Sequence, residues 1–243
     1  MAGTPRIRTF HNNEKRARFL IRTAKEIKSY SVQKKILLSL LAMLLTVTGT
    51  FYILATLYER TGSFTVGVNK VDMVREGLSL SESVTLENPA TNLNADVDEH
   101  ITNIAEEWID ENVDSIDGVH NGDNYIAYTF YLFNGGDIFL NYEYSINVSN
   151  VTNGLDEAIR IKLYTNGVPE TFAKTKSDGS GPERNTTEFY SGSIAAYARI
   201  DNFAPQQVTK YTVVIWIEGN DPDCVDWLLG GKLKVDMNFA VIH

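Results

Sequence analysis

Ile138-Phe139-Leu140-Asn141-Tyr142-Glu143-Tyr144-Ser145-Ile146-Asn147-Val148 decides the fold of this chain. Its even-numbered residues are all apolar, and most of those between are polar. In an extended chain, successive side chains point to opposite faces, so this stretch reads as a strand with one buried face and one wet face. The pattern recurs downstream. Leu233, Val235, Met237, Phe239 and Val241 alternate with Lys234, Asp236, Asn238 and Ala240, and Ile159, Ile161 and Leu163 alternate with Arg160 and Lys162. Residues 125–133 and 211–217 are apolar on both faces, which predicts central strands. Phe64, Val66 and Val68 begin another strand, expected to run over 63–74. Asn134-Gly135-Gly136-Asp137 has the composition of a short hairpin loop, and Gly230-Gly231 opens the last strand.

One stretch outside the N-terminal region reads as helical. Residues 96–112 place Val97, Ile101, Ile104, Trp108 and Ile109 at spacings of three and four, with acidic residues on the other face. The loops at 76–95, 113–124 and 174–187 are polar. The fold class that follows is mainly β: an antiparallel β-sandwich with one helical excursion.

Upstream of this domain, residues 36–58 form an apolar run without a single charge. A helix of that length is roughly 35 Å long, enough to cross a hydrocarbon core of about 30 Å. The sandwich is therefore preceded by an N-terminal transmembrane helix. Residues 1–35 carry ten Lys/Arg against Glu14 and Glu26, whereas residues 60–243 carry twelve basic and 28 acidic residues; the whole chain has a net charge of −9. Basic flanks stay inside, which places the head in the cytoplasm and the acidic domain outside. The expected organisation is a basic cytoplasmic head (1–35), a membrane segment (36–58) and an extracellular domain (61–243). Two readings of the membrane segment compete. It is an uncleaved signal anchor, or it is a signal-peptide core cut near Thr48-Gly49-Thr50. Membrane lipid is an expected partner.

The residues that carry chemistry in enzymes are sparse. Of four histidines, only His100 and His120 lie within the outer domain away from the chain end. Neither begins an H-E-x-x-H motif, and no G-x-S-x-G elbow occurs. One cysteine, Cys224, makes neither an internal disulfide nor a zinc site of the usual type. No catalytic residue, cofactor site, small-molecule substrate or nucleic-acid surface is expected. Calcium is the one ion weighed: Asp114, Asp117 and Asp123 lie in one Gly-bearing loop and Glu218, Asp221, Asp223 and Asp226 in another, with a solvated acidic surface as the alternative.

The stretch Tyr211-Thr212-Val213-Val214-Ile215-Trp216-Ile217-Glu218-Gly219-Asn220-Asp221-Pro222-Asp223-Cys224 is followed by Gly230-Gly231-Lys232-Leu233-Lys234-Val235. It resembles the closing strands of the TasA/camelysin family of exported Gram-positive bacterial proteins: a Trp-bearing strand, an E-G-x-D-P-x-C loop, a G-G turn and a final alternating strand. The N-terminal order agrees, with Gly62-Ser63-Phe64-Thr65-Val66 directly after the apolar segment. The resemblance implies a jelly-roll-like sandwich that polymerises into matrix fibres by donating an N-terminal strand, anchored by Phe64, Val66 and Val68; a homo-oligomer or fibre is thus the other expected partner. It marks Trp216, Glu218, Asp221, Pro222 and Cys224 as the motif loop. Some relatives have been called metalloproteases, but no zinc ligand set is visible in this sequence. The long basic head and strong membrane segment depart from the family. The expected function is a membrane-anchored or exported cell-surface protein with a structural or adhesive role in the envelope or biofilm matrix, and not an enzyme. A non-catalytic ligand-binding or sensing ectodomain is the alternative.

Overall fold

A computed structural model describes residues 32–53, 64–95 and 101–243. The basic head up to residue 31, the end of the apolar run with Gly62 and Ser63 (54–63), and the first residues of the expected helix with His100 (96–100) lie outside the described residues. The chain divides into two units, Met1–Glu59 and Arg60–His243. In the first, Val32–Ile53 forms one helix (α1), long and apolar enough to cross a membrane. Its leucines and Phe51 are exposed. Such a helix is compatible with a membrane anchor or a signal sequence.

The second unit is mainly β. Its strands are β1 (Phe64–Val68), β2 (Leu78–Ser81), β3 (Asn92–Ala95), β4 (Gly118–Val119), β5 (Tyr125–Asn134), β6 (Leu140–Ser149), β7 (Ile159–Thr165), β8 (Val168–Ala173), β9 (Thr187–Glu188), β10 (Ile194–Phe203), β11 (Val208–Ile217) and β12 (Lys234–Val241). One sheet runs β10-β6-β12-β1-β3; the other runs β2-β5-β11-β7-β8-β9, with β4 also pairing β5. The alternating β6 sequence buries every second residue, as its period of two requires. Its inward side chains meet those of the other sheet in one core. Phe130 of β5 lies 5.7 Å from Tyr211 of β11 and 6.0 Å from Phe239 of β12, centroid to centroid. The hydroxyls of Tyr142 and Tyr211 share a buried hydrogen bond of 2.9 Å, so neither aromatic carries an unpaired polar atom into the core. This is a β-sandwich. Most pairings are antiparallel, but β1 runs parallel to β12 and β8 parallel to β9.

β5 and β11 are apolar on both faces because both faces are covered. The inner face packs in the main core. On the outer face, Ala127, Val214 and Trp216 pack beneath Ile104 and Val113 from the segment before β4. That segment departs from the expected helix. Within 101–112, only Glu106–Trp108 makes a single 3-10 turn. Ile104 donates its N–H to Ile217 O at 2.9 Å and accepts from Gly219 N at 2.8 Å. Pairing with the end of β11 satisfies the backbone that a helix would otherwise have satisfied. Trp108, placed on the apolar side of the expected helix, is exposed.

The short α-helix of this unit is elsewhere, at Lys70–Glu76 (α2), where the strand had been expected to continue. Asn69 stops β1. Its side chain accepts from Val71 N at 2.9 Å, an N-cap, and Gly77 closes the helix at φ 79°. Asp72 then ties α2 to β12 by accepting from Val241 N at 3.0 Å.

The Asn134–Asp137 stretch is also corrected. It is not a hairpin, because β5 and β6 belong to different sheets. The buried Asn134 amide donates to the carbonyls of Ile138, Phe203 and Ala204, and its Oδ1 accepts from Gly136 N. These bonds hold the chain as it crosses between layers. Ile138 and Phe139 lie in the crossing and are exposed rather than part of β6.

Candidate functional site

The motif loop begins where β11 ends. Trp216 is 2% exposed, as a strand apolar on both faces predicts. Its indole N–H donates to Glu218 Oε2 at 2.9 Å, and Glu218 Oε1 accepts from Asn220 N at 3.0 Å. Asp221 is the centre of the loop. Its Oδ1 accepts from Asp223 N at 2.8 Å, its backbone carbonyl accepts from Cys224 N at 3.0 Å, and its Oδ2 pairs with Arg160 Nη2 at 2.5 Å. The Asp221 side chain is wholly buried, and that of Arg160 nearly so. Pro222, between Asp221 and Asp223 in the turn, is exposed.

Two further carboxylates converge here. Glu183 lies 3.7 Å from the same Arg160 nitrogen. Asp223 accepts from Ser177 Oγ at 2.5 Å and from Ser177 N at 3.2 Å. One oxygen each of Glu183, Asp221 and Asp223 lie within 4.8 Å of one another. Oxygen donors of this kind suit a hard cation. Arg160 already supplies the counter-charge, however, and a cation would have to displace its guanidinium from two of the three groups. The cluster works as an ion-pair clamp that fastens the 174–187 loop and the motif loop to β7. Burial, then the charge of Asp221, push the Glu183 carboxyl above its ordinary value, against the pull of Arg160. Arg160 and Glu183 did not stand out in the sequence. Arg160 occupies an ordinary polar position in an alternating strand, and Glu183 lies in a polar loop.

Cys224 is half-buried and free. Burial, then the charge of Asp221, push its thiol up; a hydrogen bond involving Asn103 opposes them and the charge of Glu218 adds to the rise. This environment suppresses thiolate and hence nucleophilicity.

Of the first loop weighed for calcium, Asp114 and Asp117 are held by protein partners. Asp114 Oδ2 pairs with Lys210 Nζ at 3.1 Å, while its Oδ1 is buried without a hydrogen bond. Asp117 Oδ1 accepts from Tyr131 OH at 2.5 Å. Burial, that bond and the two carboxylates raise the Tyr131 hydroxyl well above its ordinary value. Asp123 is elsewhere, in an open surface depression of about 530 Å³ lined by Ile104, Trp108, Asp110, Gly122, Asn124 and Tyr125. Among the described residues, the trio close enough to share an ion is Glu183, Asp221 and Asp223, not these three. His120 is fixed by main chain, with each ring nitrogen 2.8 Å from a carbonyl oxygen, those of Gly118 and Val113.

The three residues of the expected assembly strand lie in the middle of a sheet. β1 pairs with β12 on one side (Phe64 opposite Val235) and with β3 on the other (Phe64 opposite Ala95). Phe64, Val66 and Val68 all point into the core.

No family model matches the chain, and no curated protein does. Two solved structures of the β-glucosidase from Kluyveromyces marxianus, one in complex with glucose, are similar over 66% of this chain at 12% and 13% identity. Their TM-scores are 0.23 and 0.25, and the chain spans only 15% and 17% of their length.

Proposed function

We propose that this chain is a non-catalytic cell-surface protein of a Gram-positive bacterium, with a cytoplasmic N-terminus, a membrane anchor and an extracellular β-sandwich. Its role is structural or adhesive, in the envelope or biofilm matrix, and it assembles by strand donation. The observation that carries the reading is the seat of β1. The first strand of the domain fills a slot between β12 and the four-residue β3, and its three apolar side chains are core. A strand so placed closes its own sandwich, or leaves the slot for an equivalent strand from a neighbour. Main-chain pairing then gives affinity, and the Phe64, Val66 and Val68 pockets give register. The resemblance of the motif loop to the TasA/camelysin family supports the same reading.

The test is electron microscopy and sizing of the purified outer domain, beginning near Thr61. Oligomers or fibres are expected. Deleting residues 62–68 is expected to abolish them and leave a destabilised monomer. Oligomers that survive the deletion overturn strand donation. A second reading, a ligand-binding ectodomain, is favoured by the depression beside Trp108, Asp110 and Asp123. It predicts a domain that stays monomeric at high concentration.

A further inference from the structure

The loop between the motif and β12 contains a turn whose side chains are sorted in an unusual way. At Asp226–Leu228 the chain makes one 3-10 turn. Leu228 is buried with Leu155 and Ala158, where it pins the turn to the sandwich. Its neighbours point away: Trp227 is 70% exposed and Leu229 is 78% exposed. The backbone beneath them is fixed. Asn153 Nδ2 donates to Leu229 O at 3.1 Å, Gly231 N donates to Leu228 O at 2.8 Å, and Thr152 N donates to Lys232 O at 2.8 Å. Trp227 and Leu229 thus form an exposed apolar pair beside a buried anchor, which the sandwich itself does not cover.

The strand registers identify which end of the sandwich carries this turn. β1 begins opposite the start of β12, with Phe64 opposite Val235. β12 begins opposite the end of β6, with Lys234 opposite Ser149. The turn immediately before β12 is thus at the end where the chain enters β1. That entry is tied to the apolar run by sequence alone, since only residues 59–63 separate Tyr58 from Phe64. At about 3.3–3.6 Å per residue, fully extended, this tether reaches roughly 20 Å.

We propose that Trp227 and Leu229 insert into the headgroup layer of the bilayer that holds the chain's own apolar helix. The inference rests on the membrane-anchor reading of that helix. Indole rings favour the membrane–water boundary, where an apolar body and a polar N–H are both accommodated. Charge does not supply the attraction: in sequence, Asp223 and Asp226 precede the pair or adjoin it and Lys232 and Lys234 follow it, and the domain as a whole is acidic. Attachment is therefore apolar and needs no anionic lipid.

The experiment uses the whole 243-residue chain in phosphatidylcholine vesicles containing brominated acyl chains, with a second set containing phosphatidylglycerol. In a Trp108→Phe background the remaining tryptophans are Trp227 and the core residue Trp216. Flotation with the vesicles reads the anchor, and quenching of the Trp227 emission by the bromolipid reads the insertion. Quenching in both lipid sets is expected, together with protection from aqueous acrylamide, and it should disappear in Trp227→Ser. The Trp216 emission reports that this variant is folded. A chain that floats while Trp227 stays open to acrylamide and untouched by bromolipid overturns the insertion and leaves the anchor standing. A chain that does not float overturns the anchor, and the inference with it.

Discussion

Trp216 shows how much one residue of the motif loop carries. It fills the outer-face cluster with Ile104, Val113, Ala127 and Val214, and its indole N–H occupies Glu218. Trp216→Ala is expected to cost about 3–5 kcal/mol in urea unfolding, the range for large aromatic truncations in a core; a loss below about 1 kcal/mol would mean that the overlying segment collapses to fill the space. Arg160→Met removes the partner of a wholly buried Asp221 and is expected to cost about 3–5 kcal/mol. Glu183 behaves oppositely. Its folded carboxyl holds a proton more tightly than the ordinary value of 4.5. The stability it contributes is therefore present below that value and lost as pH rises through the raised folded value. Glu183→Gln cannot ionise, so it should match the wild type in acid and exceed it at neutral pH. Denaturation midpoints measured from about pH 4 to 8 check this, and a variant less stable at neutral pH would show the Arg160 attraction to dominate. Trp216, Asp221 and Cys224 were singled out in the sequence because one contiguous stretch, the end of β11 and the loop after it, carries the family resemblance. Arg160 and Glu183 were not, because only the folded chain brings positions 61 and 38 residues away onto Asp221.

At the scale of the element, legibility followed from what surrounds each strand. β6 and β12 were readable because one face meets the core and the other is open to water, which writes a period of two into the sequence; β7 carries the same period although its Arg160 is buried among carboxylates. β5 and β11 were readable as central because both faces are covered. The errors arose where tertiary pairing overrode a local signal. The apolar spacing around Ile104 mimics a helix, yet Ile104 and Ile109 are apolar because they pack on the outer-face cluster of β5 and β11, Ile101 packs on the main core, and Trp108 is exposed. The glycines after Asn134 mimic a hairpin, yet they serve a crossing between sheets. Gly77 is part of that crossing: with φ at 79°, a Cβ there would stand 2.6 Å from Gly136 N. Asn134 makes the crossing specific. Asn134→Ala strips the carbonyls of Phe203 and Ala204 and the Gly136 N–H of their partner. The expected loss is about 1–3 kcal/mol for each buried group left unpaired. Hydrogen exchange should localise the loosening to the ends of β5 and β10 and the start of β6. Loosening confined to β1 instead would mean that the slot strand, not the crossing, is the weak point of the sandwich.

For the whole molecule, the governing feature is the segregation of charge about α1: a strongly basic head on one side and an acidic domain on the other. Under the proposed anchor, the positive-inside rule predicts a cytoplasmic head and an external domain, and the folded state offers a way to test that orientation without proteolysis, which a well-packed sandwich can resist even when accessible. The single cysteine is half-buried beside two carboxylates with its thiol pushed up, so it should react slowly with maleimides and leave a quiet background. New cysteines can then be placed on each side. Val168 is 70% exposed on β8, far from the motif loop in sequence, and Val168→Cys replaces a side chain that buries little. Thr4→Cys reports on the head. A membrane-impermeant maleimide applied to intact cells is expected to label Val168→Cys at once and Thr4→Cys only after permeabilisation; the reverse pattern would overturn the orientation. The same labelled Val168→Cys chain separates the two fates of the apolar run. An uncleaved anchor leaves the label in the membrane fraction at the mass of the whole chain. Cleavage near Thr50 sends it to the medium on a fragment lacking the head, and only that fragment is free to carry β1 to neighbours beyond the membrane plane. Release would make extended fibres the expected form of any strand-donated assembly, whereas retention would confine such assembly to neighbours in the same bilayer.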